Sequence, residues 1–96
     1  MRELFWERFD LAELCGPETI KGTAEASFDE YKDDVKALTM LGMVINHKSW
    51  DHHERKNAEL CSLYAELYYK YYEKAINYLE KQNSEDDITY FIRTLD

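Results

Sequence analysis

The chain has 96 residues, of which 45% are hydrophobic and 15% aromatic, enough for one modest core and too much for a disordered tail. Twenty acidic residues against twelve basic ones give a formal net charge of −8, which argues against nonspecific binding to nucleic acid or to an anionic membrane surface. No apolar run approaches the about 20 residues of a membrane span, the start MRELFWERFD lacks the apolar region of a secretory signal, and residues 1–48 and 49–96 each hold six basic and ten acidic side chains; a single cytoplasmic domain over 1–96 is the expectation.

Met1 to Cys15 reads as a short helix with Leu4, Phe5, Phe9, Ala12 and Cys15 on one face and Trp6 and Leu11 off it. A strand through Leu4–Phe9 is the competing reading. Gly16-Pro17 stops the helix, because glycine suits the residue after a helix and proline cannot continue one. From Pro17 to Ala26 the breakers Gly16, Pro17 and Gly22, with Ile20 the only strong apolar residue, predict a loop. No phosphate-loop pattern surrounds Gly22.

Ser27-Phe28-Asp29-Glu30 fits a capping box and predicts the start of a second helix, with Asp29, Glu30, Asp33 and Asp34 in its favourably charged first turns. Its inward stripe is Phe28, Tyr31, Val35, Leu38, Leu41 or Gly42, and Ile45. Gly42 costs a helix about 1 kcal/mol relative to alanine, which implies close approach of a large ring, one of the later tyrosines being the candidate. The helix is expected to run through Asn46–Ser49 to about Arg55, with Asn57 capping the next; a break at 46–49 is the alternative.

Asn57 to Gln82 is the strongest helical signal. Leu60, Leu63, Tyr64, Leu67, Tyr71 and Tyr78 share a face, and Cys61, Tyr68, Tyr72, Ala75 and Leu79 widen it to about half the circumference, so that contact on two sides is expected. After Asn83-Ser84, a weaker capping box, Ile88, Phe91, Ile92 and Leu95 give a short amphipathic helix. The expected fold is all-α: a long antiparallel helical hairpin (about 28–55 and 58–82) with shorter N- and C-terminal helices, a small three- or four-helix bundle.

Chemistry-bearing motifs are sparse. His47, Asp51 and Glu54, spaced i, i+4, i+7 with His52 and His53 between them, are the one concentration of metal-type ligands. Neither H-E-x-x-H nor E-x-x-H occurs, and the other long helix offers no matching histidine. Cys15 and Cys61 fit no paired-cysteine spacing and read as small hydrophobes on apolar faces. No enzyme and no cofactor is expected. The functional expectation is a protein-interaction or regulatory module that self-associates through Tyr64, Tyr68, Tyr71 and Tyr72, since tyrosine is enriched at interfaces. Two alternatives are a metal-binding protein using the His47–Glu54 cluster, and an acidic decoy of a nucleic-acid-binding protein presenting Asp29, Glu30, Asp33 and Asp34 with Glu85, Asp86 and Asp87.

Overall fold

The computed structural model describes all 96 residues as five α-helices with no strand: α1 (Arg2–Glu13), α2 (Pro17–Tyr31), α3 (Val35–Glu54), α4 (Ala58–Lys81) and α5 (Glu85–Leu95). Gly16 separates the first two at φ 117°, a conformation open to glycine but not to other residues without strain, and Pro17 follows at the first position of α2. The dipeptide therefore ends one helix and starts the next.

That start overturns the expected loop over 17–26. Ile20, Ala24, Ser27 and Phe28 form a buried stripe at helical spacing. Two of its members are small and one is polar, so composition hides it, and packing against α1 stabilises a segment whose own propensity is weak. Ser27 is not an N-cap. It lies buried inside α2, where its Oγ accepts a hydrogen bond from Arg8 Nη1 at 3.1 Å. The same arginine pairs with Glu30 at 3.0 Å.

The expected helix over 28–55 is two helices, because Lys32–Asp34 interrupts it. Asp34 is the cap that wins, accepting from the Ala37 N–H at 3.2 Å. Beyond it α3 is continuous through residues 46–49. The next turn has Lys56 in the left-handed region and Asn57 capping α4 by accepting from the Leu60 N–H at 3.2 Å. Ser84 stands at the N-cap of α5 without a side-chain bond.

Helix α3 touches each of the other four, and its contact with α4 is the most extensive. The two run in opposite senses. Ser49 Oγ donates to the Cys61 carbonyl at 2.9 Å near one end, and the Tyr71 hydroxyl donates to the Leu38 carbonyl toward the other. The core between the helices is strongly aromatic, with edge-to-face pairs Phe5–Tyr31, Phe9–Tyr64 and Phe28–Tyr71. Gly42 has the expected reason. A Cβ there would stand 3.1 Å from the ring of Tyr71 and 3.1 Å from Leu95, so the missing side chain lets α4 and α5 close on α3. On α1, Leu4 is exposed, while Trp6 is half-buried and faces inward, the reverse of the expected assignment.

Candidate functional site

One collection of ionisable side chains is centred on groups that are buried, Lys48, His52 and Tyr64, with Glu13 half-buried and Asp10 exposed at its edge. Lys48 of α3 is only 2% exposed. Its Nζ donates to Asp10 Oδ1 at 2.6 Å and lies 2.9 Å from Glu13 Oε2, both carboxylates coming from α1. The ammonium also stands 4.6 Å from the centre of the Trp6 ring and 5.8 Å from that of Tyr64. Burying a lone charge is costly, and here two carboxylates and two ring faces supply the compensation.

Glu13 Oε2 is the node. Besides Lys48 it accepts from the Tyr64 hydroxyl at 2.6 Å and meets His52 Nε2 at 3.1 Å. A carboxylate only accepts, so the proton of the imidazole lies on Nε2, and in the neutral ring Nδ1 is left as a buried acceptor without a partner. The imidazole stacks on Tyr64 with centroids 5.6 Å apart and planes 6° from parallel. Burial opposes ionisation of Glu13, but the hydrogen bonds from Tyr64, Lys48 and His52 and the charge of Lys48 outweigh it and hold the carboxyl below its ordinary range. Burial first, and the adjoining Glu13 carboxylate second, push the Tyr64 hydroxyl far upward; burial alone raises Tyr71.

These shifts set a pH profile. Between the depressed folded value of Glu13 and its ordinary value of 4.5, the unfolded chain binds more protons, so stability is lost as pH falls below about 4.5. Above the ordinary tyrosine value of 10.0 the folded chain keeps protons at Tyr64 and Tyr71 that the unfolded chain releases, so stability also falls as pH rises past about 10. Urea midpoints across pH are expected to show a plateau bounded by these two edges, and Tyr64→Phe should make the alkaline one shallower, leaving the part due to Tyr71.

Sequence reasoning did not find this cluster. Its signal was the inward stripe of α3, which after Leu41 and Ile45 continues through Lys48 and His52 at the same spacing. The metal-type residues, in contrast, are not gathered. His47 and Glu54 are exposed, Asp51 pairs with Arg55 at 3.2 Å, His52 turns to Glu13, and His53 packs edge-on to Trp50 at 5.7 Å. No group of three or more His, Cys, Asp or Glu side chains is placed to hold a metal ion. Cys15 lies beyond the end of α1 and is exposed, against the expected apolar-face position, while Cys61 is half-buried beside Ser49.

The four tyrosines named from the sequence divide into two pairs. Tyr64 and Tyr71 are in the core of their own chain. Tyr68 and Tyr72 are half-buried, 6.0 Å apart, and Tyr72 leans on Phe91 of α5 at 5.3 Å. Tyr69, not singled out by periodicity, is 74% exposed and 6.0 Å from Tyr68. Of the acidic residues, Glu30 pairs with Arg8, Asp33 accepts from the Tyr78 hydroxyl and Asp34 caps α3, while Asp29, Glu85 and Asp86 are exposed. No helix is long and apolar enough to cross a membrane. Compared with known proteins, the chain matches no family model, no curated protein and no solved structure.

Proposed function

We propose that the chain is a non-enzymatic protein-interaction module of the cytoplasm that self-associates through the outer aromatic edge of α4, Tyr68, Tyr69 and Tyr72. The observation that carries this reading is Tyr69, a large ring 74% open to solvent beside two half-open ones. Such rings supply contact area at low entropic cost and retain a hydroxyl for the rim of an interface. Two features support the non-enzymatic part. The one acid–base cluster spends its central carboxylate oxygen on three internal partners, and the principal depressions of the surface lie away from it.

Light scattering on a sizing column across a dilution series tests the proposal. The wild-type chain is expected to show a dimer mass that falls on dilution. Tyr69→Glu should give a monomer with an unchanged melting temperature, because the ring has little packing to lose. A wild-type monomer at every concentration would remove self-association.

A further inference from the structure

Helices α2 and α4 meet through Phe28, whose ring lies edge-on to Tyr71 and Tyr78, and beside that contact the surface between them forms a groove. It consists of two adjoining depressions of about 570 and 300 Å³ that share Phe28, Lys70 and Lys74. Lysines line both banks: Lys21 on α2 and Lys32 just past its end, and Lys70, Lys74 and Lys81 on α4. Each bank spans eleven residues between its outermost lysines, about 16 Å at helical rise. Lys21 faces Lys70 across one depression, and Lys32 shares the other with Lys81.

Five of the chain's twelve basic residues therefore converge on one groove, against three acids, Glu25, Asp29 and Glu73. With Glu18, paired to Lys21, and Asp33, bonded to Tyr78, five acids adjoin the five lysines, so the groove is far less acidic than a chain whose formal net charge is −8. Despite that acidic background, Lys32, Lys70, Lys74 and Lys81 make no ion pair; only Lys21 does, with Glu18 at 3.4 Å. Lys74 lies 4.5 Å from the centre of the Phe28 ring and Lys32 5.3 Å from that of Tyr78, so the two ammonium groups rest on aromatic faces within the groove.

We infer that the α2–α4 groove docks an acidic segment of a partner protein, whose carboxylates pair with the lysines of the two banks. Discrete carboxylates match discrete lysines interrupted by acids. A continuous polyanion does not, since Glu25, Asp29 and Glu73 stand between the lysines and repel an uninterrupted run of negative charge. At physiological ionic strength charges are screened beyond about 8 Å, so a short segment lying in the groove is governed by its lysines and not by the net −8. The surface is distinct from the tyrosine edge, and the inference goes beyond self-association and does not depend on it.

The test uses the full chain and two fluorescein-labelled, alanine-based helical peptides. One carries glutamates spaced to meet Lys70, Lys74 and Lys81, and the other has glutamine at the same positions. Fluorescence anisotropy is expected to show binding of the glutamate peptide that weakens with salt, and none of the glutamine peptide. Lys70→Glu with Lys81→Glu, neither of which rests on a ring, should weaken binding at least about tenfold, as reversal of groups facing opposite charge does. Lys36→Glu, exposed and outside the groove, should leave binding unchanged. Circular dichroism of the double variant should match the wild type. Absence of binding at low salt, equal binding of both peptides, equal binding by the double variant, or tighter binding of a single-stranded oligonucleotide of equal charge would each overturn the assignment.

Discussion

Glu13→Ala is expected to destabilise the fold by about 3 kcal/mol, the summed cost of leaving two buried polar groups without their acceptor. The side chain itself is small and partly solvated. What it leaves behind is not: the Tyr64 hydroxyl and His52 Nε2 lose their partner, and Lys48 keeps Asp10 alone. Urea denaturation followed by far-ultraviolet circular dichroism reads the loss directly. Lys48→Met is expected to cost a comparable amount, about 3 kcal/mol, because removing one partner of a buried ion pair leaves the charge of the other, Glu13, uncompensated. In that variant Glu13 still accepts from Tyr64 and His52. A small effect of Glu13→Ala would mean that water reaches the node and substitutes for the carboxylate.

The second large effect is expected at Phe91. It is the one fully buried side chain of α5, and it closes against Tyr71 and Tyr72. Truncation of a buried phenylalanine to alanine costs about 3–5 kcal/mol. Here the loss should be local first. Helix α5 spans eleven residues, shorter than the about 12–15 residues at which an isolated helix becomes even marginal in water. Without the ring it has only half-buried Ile88, Ile92 and Leu95 to hold it. In Phe91→Ala, amide hydrogen exchange is expected to show α5 losing protection while α3 and α4 retain theirs. Uniform loss across all helices would instead make α5 part of one cooperative unit with the core.

The all-helical class was legible because apolar periodicity of 3.6 residues runs through most of the chain and strand-like alternation does not. Punctuation was legible where one residue does one job, as at Gly16-Pro17 and Asn57, and so was the need for a close ring at Gly42. Helix α2 was not, since Ala24 and Ser27 carry its buried stripe and neither advertises burial. The break at Asp34 was missed because Ser27–Glu30 matches a capping box in sequence while Arg8, nineteen positions before Ser27, claims the hydroxyl in three dimensions. The buried cluster was hidden for a related reason. A lysine on an apolar stripe ordinarily extends its amine to solvent. That Lys48 does not depends on Asp10, 38 positions away, and on Glu13 beside it. The lysine groove needed the fold, because its two banks belong to helices far apart in sequence.

The Glu13 node also bears on the order of events in folding. Its partners Lys48, His52 and Tyr64 sit on helices joined by a three-residue turn, whereas Glu13 reaches Tyr64 across 51 positions of chain. Closing so long a loop costs entropy before any contact repays it, so pairing of α3 with α4 should precede docking of α1. The node is then expected to form after the rate-limiting step. Its removal should steepen neither arm of the chevron but raise the unfolding rate, leaving the folding rate nearly unchanged. The amino-terminal helix would then be a latch on lifetime: without its carboxylate the chain is expected to fold as fast and to stay folded for less time.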